Sequence, residues 1–136
     1  MTLTDTGPLV ALIDKGDSNH ARCVSALSAL PSGGMITTWP CLTESAYLLR
    51  REGGWSFVAA LWRYVDAGAL RVHLPSESEL QRIRNLMETY RDTPCDLADA
   101  SLVAAAETLG ITRIFSLDSH FRIYRMSDAM TLTMIP

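Results

Sequence analysis

Lysine is almost absent from this chain. Lys15 is the only one, and the remaining positive charge is arginine. Acids outnumber bases, 15 Asp and Glu against 12 Lys and Arg, for a formal net charge of −3. No global basic field advertises nucleic-acid binding, so any such contact must use a local patch. The three cysteines, Cys23, Cys41 and Cys95, are odd in number and widely spaced, with no C-x-x-C or Cys/His cluster. That argues against a zinc site and for free thiols in a reducing compartment. No apolar run reaches the ~18 residues of a membrane span. The N-terminus, MTLTDTGPLV, has no basic segment and meets an acid at position 5. The expectation is a cytoplasmic chain with no signal peptide and no membrane contact. A Gly-rich phosphate loop is missing too, since Gly33-Gly34 has neither the lysine nor the spacing. His20 and His73 lie in segments without a partner motif and read as surface or strand-edge histidines. His120 follows Asp118 closely and reads as a turn residue at the border of any site there.

What is present suffices for a packed α/β domain. The chain has 136 residues, 48% of them hydrophobic, and no repeat, linker or low-complexity tract. One domain spanning residues 1–136 is expected. Thr2 to Thr4 reads as a first strand ending at Asp5, with Thr6 a plausible cap and Pro8 suited to the first turn of a helix that Gly16 stops. His20 to Leu30 is a second helical run. Met35 to Thr38 is a strand, and Pro40 opens a helix to Arg51. The spacing of Val58, Leu61, Trp62 and Val65 predicts a helix over Trp55 to Ala67. Leu70 to Leu74 alternates as a strand. Ser76 and Glu79 fit a capping box for a helix to about Tyr90. Asp96 to Leu109 is a small-residue helix closed by Gly110. Arg113 to Leu117 is a fourth strand ending at Asp118, and Met130 to Ile135 a fifth. Alternating strands and helices predict a mainly parallel sheet flanked by helices, with sites beyond the carboxyl ends of the strands.

Four acids stand out against this pattern: Asp5, Glu44, Asp99 and Asp118. Each has a plain structural reading. Asp5 can cap a helix, Glu44 can complement a helix dipole, and Asp118 can open a turn. Asp99 is harder to explain so, since it lies one turn into a helix that is otherwise nearly all apolar. Asp96 is a good cap for that helix and, three residues before Asp99, shares its face. Convergent carboxylates repel, and a hard divalent cation relieves the repulsion. Acids around one or two such ions support phosphodiester hydrolysis. On the substrate side, Arg51 lies seven residues after Glu44 on nearly the same helix face, ~10 Å along the axis. Arg50, Arg122 and Arg125 are further candidates for phosphate contact.

The segments DTGPLVALID, TTWPCLTESAYLLRR, DLADASLVAAAETLGI and FSLDSHF, in this order and at this length, resemble a PIN-domain ribonuclease, specifically a VapC-type toxin of a type II toxin–antitoxin pair. The resemblance implies a PIN-like three-layer sandwich with a central five-stranded parallel sheet, strands one and four adjacent. It implies endoribonuclease activity dependent on Mg²⁺ or Mn²⁺, one or two ions, with RNA as substrate, a small cognate antitoxin as partner, and homodimerisation. The family's acids map onto Asp5, Glu44, Asp99 and Asp118. Asp5, Asp99 and Asp118 would hold the metal, Asp96 would share that duty, Glu44 would position water or a second ion, and Thr6 matches the family's hydroxyl residue. Ser119 and His120 stand where many relatives have arginine and an acid. Two other readings compete: a catalytically silent PIN-like module that binds RNA or protein, and a metal-dependent hydrolase of a non-RNA phosphoester.

Overall fold

The computed structural model describes residues 1–136. Five short strands form one sheet: β1 (Thr2–Thr4), β2 (Met35–Thr38), β3 (Leu70–His73), β4 (Arg113–Phe115) and β5 (Thr133–Ile135). Their order is β3-β2-β1-β4-β5, and every pairing is parallel. Six helices connect and cover them: α1 (Thr6–Ile13), α2 (His20–Ser28), α3 (Trp39–Gly53), α4 (Trp55–Asp66), α5 (Glu77–Thr89) and α6 (Leu97–Leu109). No helix is long and apolar enough to cross a membrane.

The central strands β1, β2 and β4 are largely buried because both faces of the sheet are covered there, as parallel connections require, whereas the edge strands β3 and β5 are partly exposed. Period-two alternation divides their side chains between two cores. Ile36 and Ile114 pack with α5 and α6, whereas Met35 and Phe115 pack with α1, α3 and α4. α6 carries the longest buried run of any helix. Every residue from Ala98 to Ala106 is buried, with Asp99 the only charged one, and the small side chains let it lie close against the sheet. Gly110 closes it in the left-handed conformation at φ 65°, with Ile111 N–H returning to the Ala106 carbonyl.

Element boundaries differ from the expected ones where caps decide. The α1 cap is Asp5, not Thr6: its Oδ1 accepts from Thr6 N–H at 2.7 Å. α3 starts at Trp39, with Pro40 still in its first turn. β4 stops at Phe115, and Asp118 instead caps a 3-10 turn, Ser119–Arg122. β5 begins only at Thr133, because Met126 N–H bonds the Met130 carbonyl and ties the preceding residues into a turn. The expected capping box of α5 is half formed. Ser76 caps Glu79 N–H, but the Glu79 carboxylate turns to His73 Nε2 at 2.8 Å, giving that edge-strand histidine a partner.

Candidate active site

Strand order reverses about β1, which places the topological switch point between β1 and β4. The register pairs Thr4 with Phe115, so the next residues, Asp5 and Ser116, emerge side by side. Asp5 N–H still bonds the Phe115 carbonyl at 2.9 Å. Ser116, 1% exposed, joins the two acids of this edge. Its hydroxyl donates to Asp5 Oδ2 at 2.7 Å and accepts from Asp118 N–H at 3.0 Å. Glu44 arrives on the second turn of α3. Thr6 Oγ1 donates to its Oε2 at 3.4 Å and shares its proton with the Cys41 carbonyl at 3.5 Å. α6 brings Asp96 and Asp99 from the opposite side. A contact of 2.6 Å between the Thr38 and Ser101 hydroxyls fixes that helix to the end of β2.

These elements enclose a cleft of about 420 Å³ lined by Asp5, Thr6, Gly7, Glu44, Leu48, Pro94, Asp96, Asp99, Leu117, Asp118 and His120. All four acids singled out from the sequence, and Asp96, therefore face one hollow. No lysine or arginine lines it. The arginine ion pairs lie elsewhere, at Arg51–Glu52 and Arg82–Glu107. The one basic partner is His120, whose Nδ1 is 2.6 Å from Asp118 Oδ1 while its backbone N–H caps the same oxygen. Thr6 is in place. Arg51 is not: it borders a neighbouring hollow with Asp14, Asp17 and Glu52 that shares only Leu48 with the cleft.

The electrostatics follow from this crowding. Burial first, then Asp96, Asp5 and Asp118, push the Asp99 carboxyl up to about 7. Asp5 is raised too, by burial above all and by Asp118 and Glu44, against the lowering bonds from Ser116 and Thr6. The Cys41 thiol, 0% exposed behind Asp5, is pushed up to about 12, chiefly by burial, and stays protonated. Burial and Asp99 raise the Tyr124 phenol, which remains a donor. No three Asp, Glu, His or Cys side chains close into a cage for a bare cation. A magnesium ion does not need one, since it keeps several waters and takes only one or two carboxylates. An open set of hard oxygens, two of them on carboxyls whose anions burial disfavours and none paired with lysine or arginine, fits such an ion.

Sequence reasoning did not find Ser116, Tyr124 or Pro94, and it placed His120 only at the border. Ser116 and Tyr124 act across 111 and 25 positions, so no local motif announces them.

Five parallel strands between helical layers, with an acid cleft at the switch point, define a three-layer α/β sandwich organised around carboxylates. Residues 2–125 match the PIN domain family, and the chain belongs to that family. Among solved structures, the crystal structure of VapC20 from Mycobacterium tuberculosis, described as a sarcin–ricin loop cleaving toxin, superposes with a TM-score of 0.84. It is 20% identical, with 100% of both chains covered. A toxin–antitoxin complex from Klebsiella pneumoniae matches with a TM-score of 0.68 at 17% identity, covering 88% of each chain. No curated protein matches the chain in sequence.

Proposed function

We propose that this chain is an endoribonuclease dependent on Mg²⁺ or Mn²⁺ and the toxin of a toxin–antitoxin pair. One observation carries the reading: five carboxylates without a lysine or arginine partner line a single cleft at the switch point of a PIN-family sheet. Asp5, Asp99 and Asp118 would hold the ion directly or through water, and Asp96 would share the duty while capping α6. The ion supplies charge neutralisation for the phosphodiester and activation of a water. The protein does the rest. Ser116 and Thr6 N–H fix Asp5, so its carboxylate cannot swing away. Thr6 orients Glu44, which would position the attacking water or a second ion. Attack by the water oxygen would form a new P–O bond as the bond from phosphorus to the leaving ribose oxygen breaks, and that oxygen would end with the proton the water loses. Arg51, one hollow away, would meet only a more distant phosphate of the same strand.

The likeness to a toxin of M. tuberculosis and to a toxin–antitoxin complex of K. pneumoniae supports the toxin reading. An apolar groove of about 430 Å³ supports protein partners. Trp39, Leu74, Leu80 and Leu97 are among the residues lining it, and we assign it to the antitoxin, the partner type present in the similar K. pneumoniae complex. The test is cleavage of RNA with Mg²⁺ or Mn²⁺ present and then chelated. Cleavage that is lost on chelation and restored by the ion is expected. Cleavage that survives chelation, or none on any RNA, overturns the proposal.

A further inference from the structure

The acids of the cleft are held by different donors. Asp5 has Ser116 and Thr6 N–H, Glu44 has the Thr6 hydroxyl, Asp96 accepts Asp99 N–H, and Asp118 is bonded to His120. The Asp99 carboxylate has a single protein donor, the Tyr124 hydroxyl, 3.2 Å from Oδ2. Its Oδ1 has no protein partner and is not sealed from solvent.

Tyr124 is built to hold that bond in place. The residue is 2% exposed. Its ring packs edge-on against Phe121, with centroids 5.4 Å apart and planes at 87°, and against Tyr90 at 5.2 Å and 65°. Its backbone N–H bonds the His120 carbonyl at 3.3 Å, so the ring is anchored to the turn that Asp118 caps. The same hydroxyl shares its one proton with the carbonyl of Pro94 at 2.9 Å, and Pro94 itself lines the cleft just ahead of Asp96. One phenol thus joins three segments of the cleft wall: the Asp118 turn, the entry to α6, and the first turn of α6.

We propose that Tyr124 is a positioning residue for Asp99, holding Oδ2 so that Oδ1 is presented to the divalent ion. The inference rests on the metal-site reading given above. A carboxylate with two free torsions loses entropy on meeting a cation, and a bond to its other oxygen removes part of that loss beforehand.

Tyr124→Phe tests this, because it keeps the ring packing and removes only the hydroxyl. Two measurements are made on the full chain: the rise in melting temperature with added Mg²⁺, and the Mg²⁺ midpoint of RNA cleavage beside KM for RNA. The Mg²⁺ midpoint is expected to rise roughly tenfold or more, as for other groups that orient a metal ligand. KM for RNA should stay within about twofold, and Mg²⁺ should stabilise the variant less than wild type. In an Asp99→Asn background, Tyr124→Phe should cause no further loss of Mg²⁺ stabilisation, since the two act as one unit. An unchanged Mg²⁺ midpoint in Tyr124→Phe, with wild type responding normally, overturns the inference and leaves the metal-site reading standing. Equal losses in the wild-type and Asp99→Asn backgrounds also overturn it, since they mean a general loosening. A wild type that neither gains stability from Mg²⁺ nor cleaves with it defeats both.

Discussion

At the scale of single residues, Asp99 sets stability against chemistry. Its carboxyl is raised from 3.8 to about 7 by burial and by its acidic neighbours. Between those values the folded chain keeps a proton that the unfolded chain has lost. Stability in the absence of metal therefore falls as pH rises from about 4 to about 7, and then levels off. The measurement is the melting temperature of metal-free wild type minus that of Asp99→Asn across this window, where the difference should decrease with pH. A difference that increases would mean that the carboxylate is stabilised as an anion and that the cleft is not crowded as described. At neutral pH Asp99→Asn should melt no lower than wild type yet lose cleavage. Protons and Mg²⁺ compete for the same oxygens, so stabilisation by Mg²⁺ should weaken as pH falls below about 7. The acids themselves were legible in the sequence, because a carboxylate beside a short apolar run or inside an apolar helix is a local anomaly. The groups that hold them were not. Ser116 reads as an ordinary residue until β1 and β4 are paired, and Tyr124 reads as core until α6 lies beneath it.

At the scale of elements, caps determine both where helices begin and what reaches the cleft. Asp96 accepts Asp99 N–H at 2.9 Å and lines the cleft. Asp96→Ala should cost about 1 kcal/mol of stability, the usual loss for such a cap, and should reduce cleavage only in part, because α6 still carries Asp99. Melting temperature and cleavage measured beside Asp99→Asn check this. If Asp96→Ala is inactive and Asp99→Asn active, the roles are reversed. The turn from α3 to α4 depends on two glycines. Gly54 has φ 67° and ψ −155°, and a Cβ on Gly53 would lie 2.3 Å from the Phe57 ring. Gly54→Ala should lower unfolding free energy by about 1–3 kcal/mol, read by urea denaturation, and a neutral result would mean that the turn relaxes at little cost. Strands, helices and their order were legible from periodicity, Gly and Pro. Ends were less so. β4 reads two residues too long because Leu117 resumes its apolar character past Ser116, and only the bond from Ser116 to Asp5 shows where the ladder gives way to the site.

At the scale of the whole molecule, a chain of net charge −3 concentrates five acids at one edge of its sheet and keeps its arginines away from them. RNA held by such a surface makes few phosphate contacts, so binding should depend weakly on salt. A log–log slope steeper than about −4, equivalent to roughly six contacts on a single strand, would reveal a basic surface completed by a second copy. The parallel topology that brings positions 5 and 118 together was legible as alternating strands and helices, but the strand order was not, since nothing local says that β1 lies between β2 and β4. The resemblance supplied that adjacency. The central claim is that these carboxylates form one metal-dependent site, and Asp5→Asn tests it most directly, because Asn keeps the shape and can still accept Thr6 N–H on Oδ1, while Ser116 must turn to accept from Nδ2 where it now donates to Oδ2. RNA cleavage with Mg²⁺ is measured on protein free of wild type, with melting temperature as the control for folding. The expected result is a folded variant whose cleavage falls by orders of magnitude. Full cleavage by folded Asp5→Asn would contradict the claim.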